Sequence, residues 1–243
     1  MITYSCISES GGRAVNEDAV AVVQKSGNYC FVLCDGLGGH GSGDVASRTA
    51  TETFTGIFES TDLSPRDFFE LAYTKANERV IEQQKINSSP FGMKTTVVSL
   101  VISGTRCFWS HIGDSRLYCF DEKKLRERTL DHSVPQMLVL TKEIKERQIR
   151  FHPDRNKILR AIGTDDEKPR YQVGIPVRTR YCKAFLLCSD GFWELITERK
   201  MLRELRKSQT PAEWLGRMQK IVLKKGKNKK MDNFSAIAVF VND

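Results

Sequence analysis

The chain has 243 residues, which is long enough to bury a substantial hydrophobic core, so a small scaffold held together by disulfides or a structural metal is excluded. Hydrophobic residues make up 40% and charged residues 28%, a globular composition that also excludes a largely disordered or low-complexity protein. The net charge is +8, yet residues 198–230 alone carry 12 Lys and Arg against 3 Glu. The remaining chain is therefore nearly neutral, and the positive charge is a local property of that segment.

The sequence shows no targeting or membrane segment. Residues 1–12 have neither a cationic start nor an apolar run of signal-peptide length, and no stretch approaches the roughly 18 apolar residues of a membrane span. The seven cysteines are scattered and complete no zinc pattern, so they predict free thiols in a reducing compartment. We therefore expect a cytoplasmic protein without a membrane span.

Seven short runs rich in Val, Ile, Phe and Cys, bounded by Gly, Asn or Asp, are typical of β-strands. They cover residues 18–24, 29–34, 94–103, 106–112, 115–120, 182–188 and 234–241. A hairpin turn is predicted at Gly104, between two of these runs. Strands follow one another directly in places, which favours an α+β fold over a regular alternation of strands and helices.

Three long helices are predicted between the strands. The first covers about 44–59, the second opens with Ser64 as N-cap before Pro65, and the third opens with Thr210 and Pro211, with Glu213 completing a capping box. Residues 141–180 are highly charged, contain three prolines and show little apolar periodicity, so they predict a mobile insertion. With no dividing linker, residues 1–243 are expected to form a single domain.

Acidic residues stand at the ends of the predicted strands, next to small or turn-forming residues. They are Glu17, Asp18, Asp35, Asp114, Asp190 and Asp232. Any one of them alone is commonly a turn residue that hydrogen-bonds its own backbone. Six carboxylates brought together would repel one another, so they would need cations, and such oxygen ligands select Mg²⁺ or Mn²⁺. Arg13, close to Glu17, is the candidate for a bidentate contact with a phosphoryl group.

Spacing alone cannot show that these acids come together in the folded chain, and the series of motifs in which they stand provides the evidence for it. In chain order it reads RAVNEDA, FVLCDGLGGHGSGDVAS, KTTVVSLVI, IGDSRLY, LDHSVPQ, LLCSDGFWE and DNFSAIAV. This series resembles that of the metal-dependent protein phosphatases, the PPM or type 2C family of serine/threonine phosphatases. It spans residues 13–239 in the family's order, and the DGLGGH pattern is similar to the single-domain bacterial branch.

The resemblance implies a four-layer α-β-β-α sandwich, with two central antiparallel sheets flanked by antiparallel helix pairs and residues 141–180 as a flap beside the active site. It implies two Mg²⁺ or Mn²⁺ ions and a weaker third, and direct attack of a metal-bridging hydroxide on phosphoserine or phosphothreonine. It implies that metal ions are held by Asp35, the Gly36 carbonyl, Asp190 and Asp232. Glu17 and Asp18 are implied to hold metal-bound water or the second ion, and Asp114 is implied to form a third site with Asp190. Arg13 is implied to bind the substrate phosphate.

This chain departs from the family pattern at the residue proposed to protonate the leaving alcohol. The eukaryotic branch usually has a histidine directly after the first Asp-Gly, whereas this chain has Leu37 there. A metal-bound water is the favoured acid, and His40 is the alternative. Phosphorylated proteins are the implied substrates, with a Hanks-type serine/threonine kinase and its targets as partners.

Two other functions remain open from the residues alone. The first is a phosphoprotein or nucleic-acid binding module that uses the basic segment 198–230, although a solvated helix face followed by a lysine-rich loop is the favoured explanation of that segment. The second is a metal-dependent nuclease, which would also use acidic ligands. Nucleic acid is not expected as the partner. His111, Trp193 and Trp214 are interpreted as core residues, and Asp131-His132-Ser133 as a helix start.

Overall fold

The computed structural model describes residues 1–38, 42–88, 92–165, 168–227 and 230–241. Its strands are β1 (Ile2–Glu9), β2 (Asp18–Lys25), β3 (Asn28–Leu37), β4 (Lys94–Thr95), β5 (Val97–Ser103), β6 (Arg106–Ile112), β7 (Arg116–Phe120), β8 (Leu125–Arg128), β9 (Gln172–Val173), β10 (Val177–Arg178), β11 (Ala184–Cys188) and β12 (Phe234–Val241). Its α-helices are α1 (Gly43–Ser60), α2 (Pro65–Ile86), α3 (Val134–Leu140), α4 (Asp190–Trp193), α5 (Glu198–Leu205) and α6 (Pro211–Gly226).

The strands form two antiparallel sheets. One sheet has the order β1-β12-β11-β7-β8, and the other has the order β10-β6-β5-β3-β2, with β4 paired to β3 and β9 paired to β6. None of the described helices combines the length and apolar character that a membrane span requires.

Three hydrophobic cores separate four layers. One core lies between the two sheets, a second between the seven-stranded sheet and α1 and α2, and a third between the five-stranded sheet and α4 to α6. Along β3, Cys30, Val32 and Cys34 face the helices, while Phe31 and Leu33 face the other sheet. Both faces of the central strands are therefore buried, which explains why they appear as continuous apolar runs. The expected α+β four-layer sandwich is confirmed.

The predicted starts of two long helices are confirmed by their N-cap contacts. Ser64 Oγ accepts a hydrogen bond from the Asp67 amide at 3.3 Å, and Thr210 Oγ1 accepts one from the Glu213 amide at 3.2 Å. The capping box itself is wrong in one detail, because the Glu213 carboxylate accepts from the Gln209 amide and not from that of Thr210. The side chain caps one residue earlier than the sequence pattern predicts.

The short strands β8, β9 and β10 were not predicted, and two further features of the sheets depart from the strand prediction. No strand was predicted at the N-terminus, yet β1 pairs with β12 along its whole length, from Ile2 opposite Val241 to Glu9 opposite Phe234. The run 94–103 is broken at Thr96, whose hydroxyl accepts from the Asp35 amide and bonds to the Ser115 hydroxyl. Long-range pairing creates the first feature and polar contacts across the sandwich create the second.

The segment 141–180 contains few regular elements among its described residues. They are the 3₁₀ helix Glu146–Phe151, β9, β10 and the 3₁₀ helix Thr179–Tyr181. Ile149 and Arg150 are buried nevertheless, and Arg150 Nη2 pairs with Glu198 Oε1 at the start of α5. The segment is thus attached to the helical layer that covers the five-stranded sheet.

Trp214 tests the importance of this helical layer. Its side chain is fully buried, and its indole N–H donates to the Met201 carbonyl, which joins α6 to α5. We expect Trp214→Ala to lower the free energy of unfolding by about 3–5 kcal/mol, because it leaves a cavity and removes the hydrogen bond between the two helices. Urea titration followed by circular dichroism measures the change, and Leu223→Ala, at a half-exposed position of the same helix, should cost less than about 1 kcal/mol. Equal losses in the two variants would contradict this account.

Candidate active site

Antiparallel pairing brings the acidic strand ends to one end of the sandwich. Asp18 at the start of β2 lies opposite Asp35 near the end of β3. Cys188 at the end of β11 lies opposite Arg116 at the start of β7, which places Asp190 near the loop that carries Asp114. The residues that were predicted from separate motifs are therefore neighbours in space.

Asp35 lies at the centre of these acids. Burial raises the pKa of its carboxyl well above the ordinary range, and repulsion from Asp18, Asp190, Asp114 and Asp232 raises it further. The pKa of Asp190 is raised for the same reasons, with burial first and Asp114 second. The five predicted aspartates thus share one electrostatic environment.

The pKa values of Asp114, Asp18 and Glu17 are also raised. Burial raises the pKa of Asp114 to about 7 and that of Asp18 to about 6, with hydrogen bonds from serines opposing the shift at Asp18. Burial and the nearby Asp44 carboxylate raise the pKa of Glu17, against the hydrogen bond from the Gly43 amide and the attraction of Arg13. Without bound cations, folding therefore holds these carboxyls in an unfavourable environment.

Neutral hydrogen bonds hold Asp18 in place across the two sheets. Ser189, directly before Asp190, donates its hydroxyl proton to Asp18 Oδ2 at 2.8 Å, and the Ser235 amide donates to Ser189 Oγ at 2.9 Å. Ser189 therefore ties β2 of one sheet to β12 of the other at the site. The sequence analysis missed this residue, although it stands inside the LLCSDGFWE motif.

Close backbone packing explains the glycines beside two of the aspartates. A Cβ atom on Gly36 would lie 2.2 Å from the Gly43 carbonyl oxygen and 2.6 Å from that of Glu17. A Cβ atom on Gly191 would lie 2.0 Å from the Asn233 carbonyl oxygen. Both positions admit only glycine, because the chain segments that carry the acids pack backbone against backbone there.

Arg13 lies at the mouth of the site, where its side chain is 58% exposed. Its Nη2 atom pairs with Asp232 Oδ2 at 2.8 Å. Asn233 fixes the loop that carries Arg13, because its Oδ1 accepts from the Glu17 amide and its Nδ2 donates to the Ser10 and Val15 carbonyls. Asn233 was not singled out from the sequence, although it follows Asp232 in the DNFSAIAV motif.

The side chains of Trp193 and the buried cation Arg116 support the loop that carries Asp114. The Trp193 indole N–H donates to the Asp114 carbonyl at 3.0 Å, and the Arg116 guanidinium stacks 3.4 Å from the centre of the Trp193 ring. Arg116 also binds Asp131 through two hydrogen bonds, of 2.7 and 2.6 Å. Asp131 is therefore part of this support. The predicted helix start is confirmed at Ser133, the N-cap of α3.

Two of the described histidines, His111 and His132, support the site. His111 and His132 stack at 4.6 Å, His111 Nε2 bonds to the Leu130 carbonyl, and His132 Nδ1 accepts from the Gly113 amide next to Asp114. The interpretation of His111 as a buried core histidine is confirmed. His40, the alternative leaving-group acid, lies outside the described residues.

The donor set fits divalent cations. Asp18 Oδ1 and Asp114 Oδ1 are buried without a hydrogen-bond partner within the described ranges, and carboxylate oxygens are ligands that Mg²⁺ and Mn²⁺ prefer. In those same ranges, no three His, Cys, Asp or Glu side chains already form a group that could hold an ion. The acids are close enough to raise one another's pKa values, but they are not already arranged as a ligand group.

A groove of about 380 Å³ adjoins the acids. Arg13, Asp190 and Asp232 line it on the side of the site, and Phe151 and Arg155 line it on the side of segment 141–180. The basic segment 198–230 lies mainly on α5 and α6, and it reaches the groove at Gly226 and Lys230. A substrate that approached Arg13 would pass along this groove.

Fold and site together define a hydrolase of the metal-dependent phosphatase type. Residues 8–234 match the family model of protein phosphatase 2C. The serine/threonine phosphatase stp of Listeria monocytogenes is 31% identical over 204 residues, which cover 82% of this chain and 80% of that protein.

Solved structures agree with this assignment. Stp1 from Staphylococcus aureus superposes with a TM-score of 0.91 at 27% identity, covering 100% of this chain and 96% of the other. The catalytic domain of the phosphatase PstP in complex with 2 manganese ions gives a TM-score of 0.83 at 25% identity, covering 100% and 99%. The chain belongs to the protein phosphatase 2C family, and it is a metal-dependent serine/threonine phosphatase.

The raised carboxyl pKa values predict how stability without metal depends on pH. Between about pH 4 and the folded-state pKa, which is about 7 for Asp114, the folded protein keeps protons that the unfolded chain has lost, so stability falls as pH rises through this window. Mn²⁺ replaces those protons and removes the penalty. We therefore expect the difference in Tm between samples with Mn²⁺ and with EDTA to be larger at about pH 7.5 than at about pH 5.

Measuring that difference by thermal unfolding also separates the carboxyls from the histidines. Burial lowers the pKa of His132 to about 3 and also lowers that of His111, so both destabilise the folded state as pH falls below about 6.5. That contribution is common to both samples and cancels in the difference. A difference in Tm that did not change with pH would contradict the shared carboxyl environment.

Proposed function

We propose that this chain hydrolyses phosphoserine and phosphothreonine in proteins with two Mg²⁺ or Mn²⁺ ions and a more weakly held third ion. The observation that carries the proposal is the convergence of five aspartates beside one exposed arginine. Asp35 and the Gly36 carbonyl would hold ions together with Asp190 and Asp232, Glu17 and Asp18 would support the second ion, and Asp114 would contribute to the third. Bound ions offset the carboxylate charge, polarise the phosphoryl group and make water more acidic.

Arg13 is the proposed phosphate ligand. Its pair with Asp232 is exposed on both sides, so exchanging that carboxylate for a phosphoryl group costs little. The planar guanidinium suits two parallel hydrogen bonds to phosphoryl oxygens. Asn233 holds the loop of Arg13 to the start of β12, which keeps the phosphate contact at a fixed position relative to Asp232.

The proton for the leaving alcohol is proposed to come from water. No histidine within the described residues lines the groove. His111 and His132 make their contacts behind Asp114, and Leu37 occupies the position where the eukaryotic branch has its histidine.

We further propose that residues 1–243 act as one phosphatase domain, in which residues 141–180 form a flap. Two observations support this: the family match runs without interruption over most of the chain, and Arg150 and Phe151 line the groove. The enzyme is proposed to oppose a serine/threonine kinase in the cytoplasm. The seven free cysteines suit a reducing compartment.

The role of the acids is tested by removing a charge that the proposal places at an ion. We expect Asp190→Asn to lower kcat/KM for a phosphothreonine peptide by about a thousandfold, corresponding to about 4 kcal/mol of transition-state stabilisation, and EDTA to abolish turnover. A steady-state phosphate-release assay measures both. Asp62→Asn, at an exposed position paired with Lys25, is the matched control and should leave the rate unchanged. Turnover that persists in EDTA would exclude the mechanism.

The flap is tested at Phe151, whose side chain is 82% exposed beside the groove. We expect Phe151→Ala to raise KM for a phosphopeptide about threefold to tenfold, because its ring can pack on the peptide, while hydrolysis of p-nitrophenyl phosphate stays unchanged. Ile175→Ala, an equally exposed apolar position of the same segment outside the groove lining, is the control. An equal effect on both substrates would place Phe151 in the chemical step instead.

A further inference from the structure

Three cysteines meet at the end of the sandwich opposite the acids. Cys107 is the second residue of β6, Cys119 lies near the end of β7, and Cys182 stands just before β11. The Sγ atoms of Cys119 and Cys182 are 3.3 Å apart, although 63 positions separate them in sequence. Cys107 also makes a thiol hydrogen bond with Cys182. None of these thiols has a part in the phosphatase mechanism.

The three thiols differ in their surroundings. Cys107 and Cys119 belong to the core between the sheets, whereas Cys182 also lines a cavity of about 540 Å³ that contains Arg126, Arg180 and Lys183. Cys182 belongs to the same core and is only 5% exposed, so a small reagent would reach its sulfur through this cavity. Among the charged side chains of the cavity, Arg126 favours negative charge on its sulfur and Asp121 disfavours it.

The contacts among the three thiols also favour the thiolate form of Cys182. The Cys119 thiol donates to the Cys182 sulfur, and the nearby Cys107 and Cys119 thiols lower the pKa of Cys182 while their own pKa values are raised. Burial opposes the shift at Cys182, and Arg126 supports it. Cys6 provides the contrast, because desolvation raises its thiol pKa to about 11 although it lies at the surface.

We propose that Cys182 is a peroxide-reactive thiol that forms a reversible disulfide with Cys119. The site is distinct from the phosphatase centre, and hydrogen peroxide or a small organic peroxide is its reagent. The Cys119 sulfur is the partner because it already lies 3.3 Å from that of Cys182.

The chemistry proceeds in two balanced steps. In the first step, the Cys182 thiolate attacks one peroxide oxygen, the O–O bond breaks, and the departing oxygen takes a proton, leaving a sulfenic acid on Cys182. In the second step, the Cys119 sulfur attacks the Cys182 sulfur, and the sulfenic hydroxyl leaves as water with the Cys119 proton. Two thiols are oxidised by two electrons, and one hydrogen peroxide is reduced to two waters.

The disulfide would join the end of β7 to the segment that enters β11. It would thereby close a loop that contains the whole segment 141–180, including the residues that line the groove. Closing so long a loop restricts the unfolded chain, so oxidation should raise Tm by about 5 °C or more. Both ends lie in the same sheet, far along the strands from Asp114 and Asp190.

The first experiment uses the wild-type protein. Iodoacetamide at about pH 6, followed by peptide mass spectrometry, should label Cys182 at least about tenfold faster than the surface residue Cys6. Faster labelling of Cys6 would contradict a thiolate at Cys182. This measurement needs no substitution, so a variant that folds poorly cannot obscure it.

The second experiment identifies the bond. After treatment with hydrogen peroxide and alkylation of the remaining thiols, we expect one cross-linked peptide pair that contains Cys119 and Cys182, is two hydrogens lighter and is reversed by dithiothreitol. Cys182→Ser and Cys119→Ser should each lose this product, and Cys188→Ser, a buried cysteine of the helix-facing core, should retain it. A Cys107–Cys182 product, or an unchanged oxidation rate in Cys182→Ser, would overturn the proposal.

Discussion

The burial of like-charged carboxyls against one another is the constraint on which this structure depends. Asp35 is raised in pKa by burial and by four other aspartates, so the folded chain without cations holds a group of acids that water would solvate better. The buried carboxyls destabilise the folded state, and the three hydrophobic cores offset this loss of stability. Divalent cations bound there, as proposed, would relieve this repulsion directly.

Neutral contacts keep the acids in position without neutralising them. Ser189 joins Asp18 to the opposite sheet, the Thr96 and Ser115 hydroxyls bond across the sandwich beside Asp35, and Trp193 holds the Asp114 carbonyl. Arg116, a buried cation near the site, donates from its Nε and Nη2 atoms to the two carboxylate oxygens of Asp131. The negative charge of the site is therefore not neutralised by Arg116, and the guanidinium of Arg13 stays exposed at the mouth of the site.

The antiparallel sandwich separates two kinds of chemistry along the same strands. One end of β7 and β11 leads to Asp114 and Asp190, and the other end leads to Cys119 and Cys182. Strands of five residues each span the distance between the ends. The proposed disulfide would therefore close its loop around segment 141–180, part of which lines the groove, at the end of the strands away from the acids.

The amino-acid sequence by itself determined the features that depend on near neighbours in the chain. Apolar runs placed most strands, Ser64 and Thr210 marked two helix starts, and the motif series identified the family. The tertiary structure decided which of these parts meet: the pairing of Asp18 with Asp35, the edge strand β1, the contact of Asn233 with the Arg13 loop, and the cluster around Cys182. Strand and helix signals arise from local sterics and side-chain periodicity, whereas these contacts join residues far apart in sequence and exist only once the sheets have paired.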